Sequence, residues 1–429
     1  MAVLGIDYGS SYTTVSWINP RHGKPEAVKF NGDGSVKYPS VILGYDNGLV
    51  SGYQALNYLE EVDKLPSEKR FEMLANFIPS LKRILNPKGI EFIGDKEYTH
   101  KELLEFFFKQ VKQLANAHCG NEVNFDSVVI SHPVDCEEST VLMLRQALSA
   151  SGFKEVKTRF EPIAAVMGYG IDHDIPEGQG ILVFDFGGGT IDVAYTKKHL
   201  DSYRILCEPK GDKSCGGQDI DMLLYEDLRK NVLAKYDMDI SKSNMVDLGM
   251  LNSCRRLKEH FSDSNDVHET SIVFVKDGRI ITYKYKLNRD SFNIIISQKV
   301  TDAINVAKAV IKQTEAKQIK IDKVLLIGGS SQLTIVRQML TEILPKVTID
   351  TCGEKDIAVA LGNIADGNIY QQKKIEEKET NDNEELELDY SRQINCKKCN
   401  SSKCYKIIGH AGYHCIDCKW EGVYRIVHF

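Results

Sequence analysis

Two short segments of this chain carry the residue types that hold phosphate. Asp7-Tyr8-Gly9-Ser10-Ser11 and Asp185-Phe186-Gly187-Gly188-Gly189-Thr190 each set a carboxylate beside a turn of small residues. Turns of this composition aim several free backbone N–H groups at one spot, and such a concavity binds anions. A carboxylate next to a polyphosphate repels it unless a cation lies between them. Two such turns, each with its aspartate, therefore imply Mg²⁺ held largely through its own waters, with Asp7 and Asp185 as the carboxylates that face it. Thr190 adds a hydroxyl that can reach a terminal phosphate or place a water. One glycine-rich hairpin would serve equally well as a plain tight turn; the second copy, in register, is what singles these out.

The elements around the two turns repeat as well. Residues 2–15 and 180–193 align without gaps at an offset of 178: a strand, an Asp, an aromatic residue, a Gly-led turn and a return strand ending in Val. Tyr12 stands where the second copy has Thr190. A hairpin used twice implies duplication of one lobe. Leu103, Leu104, Phe107, Phe108, Val111 and Leu114 recur at helical spacing over 101–117. Residues 139–151 read as a helix capped by Ser139 and stopped at Gly152, and Glu161-Pro162 opens another. Residues 290–315 read as a long helix capped by Asp290, 324–329 as a buried strand ending in a glycine pair, and 331–344 as a helix. Strands and helices alternate, so the fold class is α/β.

A second constellation closes the chain. Cys396-Lys397-Lys398-Cys399 and Cys415-Ile416-Asp417-Cys418 are separated by fifteen residues, the spacing of a zinc ribbon. Four thiolates make a closed tetrahedral structural Zn²⁺ site, with Cys404, His410 and His414 as spare candidates. So small a ribbon needs its metal to fold. Its surface is basic and carries Tyr405, Tyr413, Trp420 and Tyr424, which favours a protein partner or docking on its own chain, with nucleic acid as the lesser expectation. Upstream, 376–389 hold eight acids and one lysine, whereas 391–429 hold seven Lys/Arg and two acids. That asymmetry marks an acidic linker and an appended module. Within the linker Glu385-Leu386-Glu387-Leu388-Asp389-Tyr390 alternates acid and apolar residues, as a solvated tether or a docking segment would.

The bulk numbers restrict the alternatives. A chain of 429 residues, 42% apolar and 27% charged, builds large cores, and a net charge of −6 gives the whole chain no nucleic-acid signature. No segment approaches the ~20 consecutive apolar residues of a membrane helix. The N-terminus, broken at Gly5 and Asp7, reads as a first strand and not a signal peptide, so a cytoplasmic setting without membrane contact is expected. There, clustered cysteines favour metal over disulfides.

Taken in order, the motifs of residues 1 to about 371 resemble the nucleotide-binding domain of the DnaK-type 70-kDa heat-shock proteins, in the actin-like ATPase superfamily. Gly5-Ile6-Asp7-Tyr8-Gly9-Ser10-Ser11 resembles the family's first phosphate motif, and Asp185 to Asp192 its second. Leu81-Lys82-Arg83-Ile84-Leu85 is similar to the segment bearing the catalytic lysine, and Val128-Val129-Ile130-Ser131-His132-Pro133 to the strand before the connecting helix. Glu161-Pro162-Ile163-Ala164-Ala165 is similar to the motif bearing an active-site carboxylate. Residues 211–219, with Gly216, Gly217 and Gln218, resemble the loop leading to the adenosine side. Leu326-Ile327-Gly328-Gly329-Ser330-Ser331 resembles the adenosine motif, and Asp356 to Gly362 the closing helix.

The resemblance implies an actin-like fold of two duplicated lobes over 1–372: lobe I about 1–175 plus 356–372, lobe II about 176–355. An acidic linker at 373–392 and a zinc ribbon at 393–429 would follow. It implies slow, Mg²⁺-dependent hydrolysis of ATP to ADP and phosphate. Lys82 would offset phosphate charge, Asp185 or Glu161 would orient the attacking water, and Thr190 would help place it. Tyr12, Arg255, Lys258, Ser262, Gly328, Gly329, Ser330, Gln332 and Asp356 would complete the nucleotide site.

Two departures matter. On the adenosine-side helix the family has Glu, then Lys-Arg, then Ser; here the spacing reads Arg255, Lys258-Glu259, Ser262, and Gln332 stands where the family's last motif has a further Arg. Neither Glu nor Gln can stack as a guanidinium does. Base recognition is therefore expected to be altered, with ATP still the expected ligand and Arg255 the residue able to replace one arginine. Second, 58 residues follow 371, too few for the family's peptide-binding domain and lid. The expected function is an ATPase whose nucleotide state controls the ribbon and, through it and the linker, an unidentified protein partner. Alternatives are a nucleotide-gated scaffold or sensor with little hydrolysis, and a nucleic-acid factor acting through the ribbon.

Overall fold

The computed structural model of the protein describes residues 2–32, 34–60, 67–120, 123–200, 202–240, 248–263, 267–352 and 357–365, and four short strands beyond them. Two six-stranded sheets dominate. In the first, the order runs Glu155–Phe160, Phe125–His132, Ala2–Tyr8, Tyr12–Asn19, Lys24–Ala27, with Lys37–Pro39 also paired to Tyr12–Asn19. In the second it runs Thr348–Thr351, Lys323–Ile327, Gly180–Phe186, Ile191–His199, Ser202–Ile205, with Lys210–Asp212 also paired to Ile191–His199. Strand for strand these are one sheet used twice. In each, the hairpin's first strand has a parallel neighbour on one side and its antiparallel return strand on the other.

The helices repeat too. Glu138–Ala150 connects the two outer parallel strands of the first sheet, and Thr334–Ile343 those of the second. His100–Cys119 and Arg289–Ala316 lead into the respective parallel neighbours. The helix at 100–119 has a full capping box, Thr99 accepting from the Glu102 N–H and Glu102 accepting from the Thr99 N–H. Two caps differ from expectation. Asn288, not Asp290, caps the long helix, accepting from the Ser291 N–H at 2.8 Å. Ser139 lies inside its helix, which begins at Glu138 after Glu137, and its hydroxyl lies 3.4 Å from the Glu137 carboxylate.

Strand alternation separates core from site. Leu4, Ile6 and Tyr8 point into the first lobe's core with Phe107, Phe108 and Leu144; Leu182, Phe184 and Phe186 point into the second's with Leu224, Phe292 and Val300. The opposite faces, which carry Asp7 and Asp185, turn toward a pair of helices between the sheets. Glu161–Tyr169 packs on Ile181, Val183, Leu325 and Ile327 of the second sheet. Ala358–Ile364 packs on the first, where Ser16 donates to the Ala360 carbonyl at 2.6 Å and Asn363 to the Ile6 carbonyl at 2.9 Å. The two helices cross on glycines. A Cβ added at Gly168 would stand 1.9 Å from the Ala358 carbonyl oxygen, and one at Gly362 would stand 1.7 Å from that of Ala164.

At the C-terminal end, Leu388–Ile394, Cys404–Ile407, Tyr413–Cys415 and Glu421–Gly422 form an antiparallel four-stranded sheet. The first strand begins inside the segment that composition assigns to the linker, on its acid–apolar alternation, and lies beside the edge strand Ser202–Ile205 of the second lobe. Among the described residues no helix is long and apolar enough to cross a membrane.

Candidate functional site

The two glycine-rich turns face each other across a cleft of about 520 Å³. They meet closely: a Cβ at Gly188 would lie 2.2 Å from Ser11 Oγ, and one at Gly189 would lie 2.4 Å from Ser10 Oγ. Each turn is pinned the same way, by the Gly9 N–H to the Tyr12 carbonyl at 3.1 Å and the Gly187 N–H to the Thr190 carbonyl at 3.0 Å. The loop at 216–218 supports the second turn from behind. Gly217 and Gln218 donate backbone N–H groups to the Gly187 and Gly188 carbonyls at 3.0 and 2.7 Å. Gly216, Gly217 and Gln218 thus hold the turn and do not line the cleft.

At the base of the cleft Lys82 Nζ donates to Glu161 Oε1 at 2.9 Å, both side chains largely buried. The short helix Leu81–Ile84 brings Lys82 in, and the first turn of Glu161–Tyr169 brings Glu161. Asp7 and Asp185 line the same space. Burial pushes the Asp7 carboxyl up to about 7, Glu161 adding to the shift and Lys82 opposing it. Burial, Glu161, Asp192 and Asp7 hold Asp185 well above the carboxylate range. Burial would lower the Lys82 ammonium, but Glu161 and Asp7 hold it above the ordinary lysine value. One ammonium thus faces several carboxylates, an arrangement that a hydrated divalent cation would relieve. Among the described residues no cluster of three or more His, Cys, Asp or Glu side chains is close enough to ligate an ion directly.

Three contributors have no role assigned by the motif reading. Asp192 accepts the Thr190 hydroxyl proton at 2.8 Å, and burial with repulsion from Glu161 and Asp135 raises its carboxyl to about 7. Thr14 and Lys37 line the cleft. Asp192 and Thr14 were findable from the hairpin register, being the cross-strand partners of Asp185 and Asp7. Lys37 comes from a strand paired at distance, opposite Thr14, and leaves no local signal.

The far end of the cleft is rebuilt. Arg255 lays its guanidinium over the Tyr12 ring, 4.9 Å from the centroid, and its Nε lies 3.4 Å from Glu259. Arg255 thus reaches from the second lobe to an aromatic ring of the first, with Glu259 of its own helix beside it. Lys258 lines the cleft while paired inward, with Asp221 at 2.7 Å and the Gly217 carbonyl at 2.9 Å. Ser330 donates to the Gly187 carbonyl at 2.9 Å. Gly328 sits at φ +79, its absent Cβ leaving room for the Phe186 carbonyl. Ser262, Gly329 and Gln332 also line this end, and Gln332 donates to the Ser331 hydroxyl at 3.0 Å. Asp356, Cys396, Cys399 and Cys418 lie outside the described residues; Cys415 ends the strand Tyr413–Cys415.

Arg83, next to Lys82, reaches across to the second lobe. Its guanidinium meets Asp219 at 3.2 Å and Gln218 Oε1 at 3.0 Å, while Gln218 Nε2 donates to Ser11 Oγ at 3.3 Å.

Duplicated sheets with opposed phosphate hairpins and a two-helix crossing between them define the actin-like ATPase fold. Within that class, the chain belongs to the Hsp70 protein family, whose sequence pattern matches residues 76–405. It is similar to the chaperone protein DnaK of Ureaplasma parvum serovar 3, at 26% identity over 371 residues covering 86% of this chain and 58% of the relative. The DnaK proteins of Thermotoga neapolitana and Mycoplasmopsis agalactiae match at 25% and 24% identity, over 84% and 85% of this chain and 58% of each relative. The chain thus spans a little over half the length of the curated relatives it matches.

Proposed function

We propose that this chain binds ATP with Mg²⁺ between its lobes, hydrolyses it slowly, and uses the nucleotide state to control a C-terminal zinc-ribbon module. The observation that carries the first part is the buried Lys82–Glu161 pair beneath two opposed phosphate turns. Phosphoryl transfer to water needs mainly positioning and charge neutralisation. Mg²⁺, when bound, would supply that neutralisation. Asp7 and Asp185 are the carboxylates that would hold it, through water, and Lys82 would add a fixed positive charge beside them. Asp185 or Glu161 orients the attacking water. Thr190, its proton committed to Asp192, offers lone pairs to the same water.

The control reading rests on where the last sheet starts. Strand Leu388–Ile394 lies beside the second lobe's edge strand, so a lobe movement has a direct path to it. The strand register sets Cys404 opposite Cys415. The two CxxC pairs, Cys396/Cys399 and Cys415/Cys418, supply by sequence the four thiolates of a structural Zn²⁺ site, and this spacing is what supports the ribbon reading. The module's basic, aromatic-bearing sequence supports docking on a protein surface, that of a partner or of its own chain.

Single-turnover ATP hydrolysis tests the enzymatic part. Lys82→Ala and Asp185→Ala are each expected to slow it by about 10²–10³-fold, the scale of losing one preorganised charge at the reacting phosphate. Unchanged rates in both would leave a nucleotide-gated sensor. Metal analysis of the purified chain tests the ribbon: about one zinc per chain is expected, lost on Cys396→Ser.

A further inference from the structure

Lys82 is carried by a helix too short to hold itself. Leu81–Ile84 is a single turn, and one turn closes too few backbone hydrogen bonds to offset the cost of fixing it. Leu81, buried in the first lobe's core, sets where the turn begins. Beyond it the chain extends at Leu85 and reaches the surface. Asn86, Pro87 and Lys88 are exposed, so apolar burial does little for this stretch. A histidine meets it instead. His100, the first residue of the helix His100–Cys119, is only 4% exposed, and its Nδ1 accepts the Asn86 N–H at 3.0 Å.

The stretch Asn86-Pro87-Lys88-Gly89 has the residues of a tight turn, with Pro second and Gly fourth. The Gly89 N–H donates to the Asn86 carbonyl at 2.8 Å, and the Lys88 N–H to Asn86 Oδ1 at 2.9 Å. This turn is fitted to the imidazole. A Cβ at Gly89 would stand 2.2 Å from His100 Cε1, and the His100 N–H donates to the Gly89 carbonyl at 3.0 Å. A backbone N–H can only donate, so Nδ1 carries no proton here. The neutral ring therefore has its proton on Nε2, where Glu91 Oε1 lies 3.2 Å away.

We infer that His100 is a positioning residue for Lys82: its Nδ1 anchors the chain leaving the Lys82 helix and so keeps the ammonium against Glu161 at the base of the cleft. This rests on the ATPase reading above. Misplacing a reacting or charge-balancing group by about 1 Å can cost about 10²-fold in rate. A tether remote from the cleft therefore registers in hydrolysis, while leaving the residues that hold the nucleotide in place.

Two substitutions separate the ring nitrogens. The amide of Asn overlies Nδ1 and offers an acceptor there; that of Gln overlies Nε2 and does not. Single-turnover ATP hydrolysis is measured on the full chain, with ATP affinity by calorimetry alongside. His100→Gln is expected to hydrolyse about tenfold more slowly than wild type, with affinity held within about twofold. His100→Asn should stay within about twofold of the wild-type rate. In a Lys82→Ala background, His100→Gln should slow the reaction no further, because the two act through one group. A second pair works from the exposed turn, where folding is not at stake. Asn86→Pro deletes the donor N–H, and the extended Leu85 before it is what a proline requires. It should match His100→Gln, whereas Asn86→Ala, which loses only the side chain, should match wild type. Equal rates in His100→Gln and His100→Asn, or in Asn86→Pro and Asn86→Ala, would overturn the assignment, as would a further loss in the Lys82→Ala background. Wild-type protein that turns over no ATP would sink the ATPase reading itself, a result separable from any behaviour of His100.

Discussion

Lys82 faces more negative charge than one ammonium can balance. The Asp7 and Asp192 carboxyls are raised to about 7, and burial with the neighbouring carboxylates raises Asp185 as well. The sign of the consequence is definite. A carboxyl whose folded pKa lies above its unfolded value of 3.8 binds its proton more tightly in the native state. Stability from these groups therefore falls as pH rises from about 4 toward 7, and their repulsion is complete above that. Nucleotide-free protein should melt lower at pH 8 than at pH 5.5. Asp192→Asn, which keeps an acceptor for Thr190 and removes one charge, should flatten that slope and raise the melting temperature at pH 8 by about 1 °C for each kcal/mol relieved. A slope identical to wild type would show that Asp192 takes no part in the repulsion. At this scale the sequence disclosed the residues carried by local motifs, Asp7, Asp185, Lys82 and Glu161, because each motif is contiguous. Lys37 escaped because only strand pairing brings it to the cleft. Arg255 was legible as a candidate, but its stacking on Tyr12 depends on a crossing between lobes that no local spacing reports.

Among the elements, the crossing of Glu161–Tyr169 with Ala358–Ile364 joins the two sheets. Its closeness depends on Gly168 and Gly362, each facing the other helix's backbone carbonyl. Gly362→Ala should force the helices apart and destabilise the protein by about 1–3 kcal/mol, the usual cost of overpacking. Thermal melting would show a fall, and a melting point equal to wild type would mean the crossing is slack. Helices and strands were read correctly where their periodicity was long. Their first residues were not, because Ser139 and Asp290 satisfy the same preference as a true cap. Which polar side chain takes the terminal N–H groups is settled by where the chain enters: after Asn288 in one case and after Glu137 in the other.

For the molecule as a whole, Arg83 ties one lobe to the other. It joins the Lys82 helix to Asp219 and Gln218 of the second lobe. The Arg83 and Asp219 side chains are each about a quarter exposed, at 26% and 24%, so the pair should contribute modestly, of order 0.2–1 kcal/mol. Arg83→Ala should accordingly speed release of a fluorescent ADP analogue by about two- to fivefold in stopped flow, and should weaken the salt dependence of that rate. Release unaltered in rate and in salt response would place the controlling contact elsewhere. The two-lobe organisation was legible because a gapless 178-residue offset is a strong signal. How the last sheet sits beside Ser202–Ile205 was not, since the alternation at 385–390 fits a free tether equally well.

The meeting of the two hairpin tips places a limit on heredity as well as on geometry. Where Ser10 and Ser11 stand in one loop, the matching positions of the other, Gly188 and Gly189, leave no room for a side chain unless the opposing serine moves. Restoring the lost symmetry with Gly188→Ser or Gly189→Ser would drive a Cβ to 2.2 or 2.4 Å from the opposing hydroxyl. The two loops are thus bound to diverge in complementary directions. A bulkier tip in one lobe is admissible only against a barer tip in the other, so a side chain at Gly188 or Gly189 should be accommodated best when Ser11 or Ser10 is reduced to Gly.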